Sequence, residues 1–447
     1  MKSTFEKDTL YTVLVKIPSA ISVLIYMVLL TRLLGPEGNG VYTFIITNIN
    51  IAVMLLGFGS RSSTTFFTVN QQIPIAKILG ILFFLIVGAI GIMALFLLLT
   101  YFNVGLFQSM FLPSSYTATF FLVFIFFVFS FQYLTKIYQS IFAGYINFKY
   151  LNIYELISSA VKIIFITIPY FYCHQFDYHC SITTIFSWVV LIEFVNVAIF
   201  SLLLLQKIPI EINFSISIRE ELIPFFRYGT KQYVYSLAEY TNKRLDVWLI
   251  EFYQGTTSLG LYALATQSTN FMLDFTISIR SVLFPYLTKM NRENGGLLFC
   301  TIFRGFVMFY TLFVIGVWFS ADVIVPFVFG KAFVASVFPM KLLSIGILFG
   351  SLRNILHIYN NAYNRQRHSI VGTYIGLTAT VFLGFWFIPI YGIVGAAYVS
   401  ITAYGLTALY MLLSVLPHLK RPLYLLFVPQ KTDWLWIKEQ YVKFKSR

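Results

Sequence analysis

Charge is what this chain has least of. Only 11% of its 447 residues are Asp, Glu, Lys or Arg, against about 25% in soluble domains. That excludes a soluble globular fold, and no hydrophilic stretch is long enough for a domain outside a membrane. Cysteine is scarce too: three residues rule out a disulfide scaffold, and no pair has zinc-ligand spacing. Cys173 and Cys180 share one short connection, placed outside, where a local bridge could form. Acidic residues number 17 against 31 basic ones, a net charge of +14. In a soluble protein that surplus would suggest nucleic acid. Here basic cytoplasmic loops and a basic tail at an anionic membrane surface account for it.

The signatures of catalysis are also missing. The chain has no Walker loop, no G-x-S-x-G elbow and no H-E-x-x-H. No aspartate pair stands in a loop large enough to hold a metal and a nucleotide sugar, the longest outside connection lying near 321–335. The expectation is a protein that is not an enzyme and uses no cofactor. The N-terminus lacks a small-residue cleavage motif and runs straight into a full apolar segment, so it reads as a span rather than a leader.

Apolar residues, by contrast, make up 58% of the chain, and its mean hydropathy is +0.80. A helix needs about 20 such residues to cross the hydrocarbon core. Suitable segments fall near 10–34, 41–66, 76–102, 115–143, 153–172, 181–205, 222–251, 256–288, 298–328, 336–364, 368–388 and 392–416. Twelve spans make an all-α polytopic membrane protein. Alternate loops hold Lys77, Lys149, Lys207, Arg219, Lys289, Arg292, Arg365 and Arg367, and the opposite loops hold only Lys331. The positive-inside rule then puts both termini in the cytoplasm.

The longest inside connection divides the spans evenly. The expected organisation is a six-helix bundle over 1–206, an inter-bundle cytoplasmic loop over 207–221, a second bundle over 222–416 and a tail over 417–447. Two halves of like orientation are related by an axis along the membrane normal. A local echo agrees: Gly38-Asn39-Gly40-Val41-Tyr42 opens the second span, and Leu259-Gly260-Leu261-Tyr262 opens the eighth. The tail mixes Trp434, Trp436, Ile437, Tyr441 and Phe444 with Lys431, Lys438, Lys443, Lys445 and Arg447, which reads as an interfacial helix on anionic lipids.

Charge reappears where it is least welcome. Between Pro224 and Ile250 the seventh span carries Arg227, Lys231, Glu239, Lys243, Arg244 and Asp246. Each ionised group in a bilayer costs roughly 2.5–3.5 kcal/mol unless it faces a polar cavity. Helical periodicity puts Arg227, Lys231, Asp246, Glu239 and Lys243, in that angular order, on one side of the helix, while Arg244 alone points away. Glu239 and Lys243 are spaced i,i+4, and Lys243 and Asp246 i,i+3, so each could lower the other's desolvation cost. A purely structural reading has these pairs neutralise themselves while Arg227 and Arg244 snorkel. The functional reading is a face that binds an anionic substrate, with acids poised to carry a proton or cation.

Other spans add to the stripe. Arg353, His357, Asn360, Asn361 and Asn364 share one face of the tenth span. Glu155 and Lys162 align in the fifth, Glu193 and Asn196 mark the sixth, and Asp274 and Arg280 the eighth. Arg32 stands near the outer mouth, where a local pair with Glu37 is its plainest explanation. The chain's 30 tyrosines offer sugar rings an apolar face and a hydroxyl, and interfacial belts use the same residue.

At this point a family is recognisable. Thr31-Arg32-Leu33-Leu34-Gly35-Pro36-Glu37-Gly38-Asn39-Gly40-Val41-Tyr42 resembles the first-loop signature of polysaccharide-export flippases of the O-antigen type. Leu245-Asp246, Leu259-Gly260-Leu261-Tyr262 and Ser281-Val282-Leu283-Phe284-Pro285-Tyr286-Leu287 resemble that family's second-half motifs. Pro326-Phe327-Val328-Phe329-Gly330-Lys331 and Ile388-Pro389-Ile390-Tyr391-Gly392-Ile393-Val394-Gly395-Ala396-Ala397 are similar to its late loops. The resemblance implies the multidrug/oligosaccharidyl-lipid/polysaccharide (MOP) superfamily, with two MATE-like six-helix bundles around a cavity. It further implies undecaprenyl-pyrophosphate-linked oligosaccharide as substrate, moved across a bacterial plasma (inner) membrane, with the polysaccharide polymerase and chain-length machinery as candidate partners. Lipid II flippases are usually two spans longer, which argues against that branch.

Substrate binding is accordingly assigned to Arg32, Lys231, Lys243, Arg353 and His357, and coupling to H+ or Na+ to Glu239, Asp246 and Asp274. Arg32 and Asp246 are matched through motifs; the others rest on the cavity argument. A multidrug extruder of the same superfamily, and a membrane glycan polymerase or ligase, are the alternatives.

Overall fold

The computed structural model describes residues 2–102, 112–113, 119–145, 148–175, 181–208, 211–290, 292–419, 423–428 and 430. Among these the regular structure is all helix, with no strand. The helices are α1 (Lys2–Gly57), α2 (Ser60–Val69), α3 (Ile75–Tyr101), α4 (Thr119–Gly144), α5 (Phe148–Gln175), α6 (Ile182–Lys207), α7 (Ile223–Lys289), α8 (Arg292–Ile324), α9 (Val337–Ala362) and α10 (Gln366–Leu419). Eight helical stretches are long and apolar enough to cross a membrane, and α7, which carries the charges, is not among them.

Three helices are too long for one crossing and bend at a glycine. The breaks are Gly35 in α1 (φ 65°), Gly255 in α7 (φ 79°) and Gly392 in α10 (φ 56°). Only glycine takes these left-handed angles without strain, so one residue does the work of a loop. Paired spans expected as separate helices therefore share α1, α7 and α10.

The chain falls into two compact units, Met1–Ala263 and Leu264–Arg447. In the first, an aromatic core fills the space among α1, α3, α4, α5 and α6. Tyr154 stacks on Phe200 with ring centroids 3.7 Å apart, and Phe142 stacks on the same ring at 5.4 Å. Lipid is as apolar as these side chains, so such helices gain from close packing rather than from escaping water. The second unit is centred on Phe299, Phe303, Tyr310 and Tyr359. There α9 packs chiefly on α10 and α8.

The part of α7 before Ala263 belongs to the first unit, and its contacts with α1 and α2 show why. Tyr240 donates to the Thr47 carbonyl (2.8 Å), Trp248 Nε1 to Asn48 Oδ1 (2.7 Å) and Ser63 Oγ to the Phe225 carbonyl (2.7 Å). At Gly59 an added methyl would stand 2.2 Å from the Gly229 carbonyl oxygen. The connection before α7 is also tied down. Asn213 N–H donates to the Ala76 carbonyl (2.9 Å), and Lys77 pairs with Glu221 at 2.5 Å. Cys173 is disulfide-bonded and Cys300 is buried outside any disulfide; Cys180 and the residues of the basic aromatic tail from Lys431 onward lie outside the described residues.

Candidate functional site

The charged segment of α7 is helical, so its charges keep their expected helical spacing. Tyr240 and Trp248 bond to α1, and Glu239 and Lys243 lie one turn apart on the same helix. Glu239 and Lys243 form the expected i,i+4 ion pair at 2.9 Å, with about a third of each side chain exposed. The expected Lys243–Asp246 pair does not form. Lys243 is committed to Glu239 one turn earlier, and Asp246 is turned the other way. Its Oδ2 accepts from the Tyr262 hydroxyl at 2.7 Å, across the Gly255 break, and its Oδ1 from the Val247 N–H at 2.9 Å. Arg244 acts on it electrostatically. The side chains of Lys231, Asp274 and Arg280 lie outside the described residues.

The first unit holds a second group of charges. Lys136 on α4 lies within electrostatic reach of Arg61 on α2, Glu155 and Lys162 on α5 and Glu193 on α6. Arg61 and Lys136 are both exposed although they sit on helices of the bundle. Such long cations are tolerated at that depth only beside water or counter-charge. Lys136 is a charge that motif reading passes over. It is nevertheless the one charge in a helix of Phe, Val and Ile, and that rule flags it. Arg32, just before the Gly35 break in α1, donates to the Tyr170 hydroxyl on α5 at 3.1 Å.

In the second unit Arg353 is buried, its guanidinium 5.3 Å from the Tyr404 ring centroid on α10 and its Nη2 donating to Asn354. A cation over a phenol ring is stabilised by the ring's quadrupole. His357 Nδ1 lies 3.2 Å from Asn361 Nδ2. Asn360 is fully buried with neither amide atom paired. Asn364 leaves the stripe: it lies past the end of α9 with a φ of 57°. Among the described residues no cluster of His, Cys, Asp or Glu could hold a metal ion.

Long apolar helices, three of them turned at a single glycine, define a multi-pass membrane protein. Its lineage follows from the sequence profile of the polysaccharide biosynthesis protein family, which matches residues 5–291. The chain belongs to that family. No curated protein sequence matches it. Solved structures do. It is similar to the lipid II flippase MurJ in an inward closed conformation (TM-score 0.73, 17% identity, 93% of this chain and 88% of that one). It is also similar to a mutant of the Vibrio cholerae MATE transporter VcmN (TM-score 0.59, 13% identity, 95% and 99%). A third likeness is to an inward-facing multidrug resistance MATE transporter of the MOP superfamily (TM-score 0.63, 12% identity, 92% and 98%). At such identities the likeness is one of fold, and the fold is the all-α, MATE-like one expected.

Proposed function

We propose that this chain is a flippase carrying undecaprenyl-pyrophosphate-linked oligosaccharide repeat units, of O-antigen or capsule type, across a bacterial plasma membrane by alternating access. It makes twelve passes, each glycine elbow counting as a turn, with both termini cytoplasmic and the basic tail on anionic lipid. The observation that carries this reading is the mixed-charge segment of α7 in a member of a polysaccharide biosynthesis family. A pyrophosphate needs cations held ready, and Lys243 is held ready by Glu239. Lys231, Arg32, Arg353 and His357 complete the proposed binding set, and Asp246, Glu239 and Asp274 the proposed coupling set for H+ or Na+. No step calls for catalysis. One charge crossing 100 mV releases about 2.3 kcal/mol, enough to bias a two-state rocker.

The test is to delete the gene and determine on which leaflet the lipid-linked glycan accumulates. Cytoplasmic-face accumulation, rescued by wild type and not by Lys243→Ala/Asp246→Ala, is expected. Outer-face accumulation of unpolymerised units would point to a polymerase or ligase instead. The MATE likeness supports a second reading, a cation-coupled multidrug extruder. That reading requires unchanged glycan translocation and new drug sensitivity in the deletion strain.

A further inference from the structure

The two elbows of the first unit obey one rule. Each has a left-handed glycine, a second glycine five residues later and a tyrosine seven residues later: Gly35, Gly40 and Tyr42 in one, Gly255, Gly260 and Tyr262 in the other. The backbone angles agree, with φ/ψ of 65°/−178° at Gly35 and 79°/177° at Gly255. The elbows also meet reciprocally. A methyl on Gly40 would stand 1.8 Å from the Thr256 carbonyl oxygen, and one on Gly260 would stand 1.7 Å from the Pro36 carbonyl oxygen. Thr256 and Pro36 each directly follow a left-handed glycine. Each second glycine thus touches the same atom of the opposite elbow, as a local two-fold axis requires. Asn39 Nδ2 adds a hydrogen bond to the Gly260 carbonyl at 2.8 Å.

Each elbow is braced from inside by the same sequence offset. Nine residues before Gly35 stands Tyr26, whose phenol interacts electrostatically with that of Tyr42. Nine residues before Gly255 stands Asp246, which accepts from Tyr262 at 2.7 Å. One brace is phenol to phenol, and the other is phenol to carboxylate. The repeat therefore breaks its symmetry at a single ionisable position.

We infer that the reciprocal glycine seam is the closure of the transport path on the outer face, and that Tyr262 is the residue positioning Asp246 so that its protonation loosens that closure. The inference rests on the flippase reading for the path and its orientation. An ionised Asp246 accepts a charge-assisted bond, roughly twice as strong as a neutral one. A proton arriving on its carboxylate removes the charge, weakens the brace and frees the Gly255 hinge. The Tyr26–Tyr42 brace contains no carboxylate of its own, and Glu193 on α6 acts on both phenols from outside it. Among the described residues, the charged or titratable groups that act on Asp246 are Tyr262, across the hinge, and Arg244, on its own helix. From α1 it is the neutral Thr47 and Asn48 that bond to α7. Glu239 lies further back and is paired with Lys243.

The experiment uses the full chain with its native cysteines changed to serine and Leu259→Cys, a fully buried position at the seam, as reporter. Val41→Cys, equally buried, serves if the first variant is poorly made. A membrane-impermeant maleimide is applied to each face in turn while pH is varied. Labelling from the outer face should rise as pH falls. Tyr262→Phe should raise labelling at neutral pH roughly tenfold, the change that about 1.4 kcal/mol of lost bonding produces, and flatten its pH dependence. Asp246→Asn should flatten it as well. Tyr42→Phe should leave the pH profile in place. A wild-type profile that does not respond to pH, or identical profiles for Tyr262→Phe and Tyr42→Phe, would overturn the inference. So would labelling from the inner face alone. Correct labelling in a chain that exports no glycan would sink the flippase reading and leave the gate standing; export without the labelling pattern would do the reverse.

Discussion

Replacing Gly260 by alanine tests the elbow contact directly. In an ordinary helix interior, glycine to alanine gains about 1 kcal/mol. Here the new methyl would stand 1.7 Å from the Pro36 carbonyl oxygen and 2.8 Å from the Gly40 nitrogen, both backbone atoms, where real contacts do not fall below 3.0 Å. No side chain can swing away, so the two elbows must part by more than an ångström. Overpacking of this kind costs about 1–3 kcal/mol, which makes the net change a loss where propensity alone predicts a gain. Gly88→Ala and Gly91→Ala on α3 are the controls, because nothing lies within 4 Å of a methyl at either. Thermal unfolding of the purified protein in nanodiscs should place Gly260→Ala and Gly40→Ala below wild type and the α3 variants at or above it. The double variant Gly40→Ala/Gly260→Ala should lose less than the sum, since the first methyl already parts the elbows. A Gly260→Ala protein as stable as Gly88→Ala would refute the packing argument.

The ion pair beneath the inter-bundle connection sets a pH dependence. The Lys77 ammonium holds the Glu221 carboxyl below its ordinary value of 4.5, helped by the Ser217 N–H. The stability it contributes is therefore present above that value and lost as pH falls through the lowered one. Glu221→Gln should flatten unfolding midpoints between about pH 6 and pH 3, and Lys77→Met should cost about 1–3 kcal/mol, between surface and buried pairs. Asn360→Leu should stabilise the fold by up to about 1–3 kcal/mol, because both amide atoms are buried unpaired; calorimetric destabilisation would mean that the amide has a partner in the membrane. Lys136→Met should cut glycan export measured by pulse labelling, while Phe127→Leu, exposed on the same helix, should leave it unchanged.

The spans were readable because about 20 apolar residues in a row have few other uses. The elbows were not readable as elbows. Gly35, Gly255 and Gly392 all stand inside quoted motifs or beside them, yet a composition argument cannot say that one glycine turns the chain without a loop. The backbone angle decides that. The helical spacing of the charges on α7 followed from periodicity, and the Glu239–Lys243 pair with it. Asp246 escaped because local spacing favoured Lys243, while the winning partner, Tyr262, lies across a break that periodicity does not cross. Arg353 shows a different limit. An arginine in mid-span must face something polar or polarisable, and spacing alone does not distinguish a wet cavity from the Tyr404 ring in its own unit.

The two acids of α7 can be separated by their partners. Glu239 faces an ammonium at 2.9 Å, so protonating it would strand Lys243 in a partly dry place, at the cost of a broken ion pair. Asp246 faces a phenol, so protonating it weakens one hydrogen bond and strands no opposite charge. A carrier of protons must pass between both states at modest cost, and Asp246 meets that condition better than Glu239. Glu239→Gln should therefore act as a binding defect: export falls at low substrate and recovers as lipid-linked glycan accumulates. Asp246→Asn should act as a coupling defect, with substrate still bound and export no longer driven by an imposed pH gradient in proteoliposomes. If both variants lose export equally at every substrate level and gradient, the two acids form one functional unit and this division of labour is wrong.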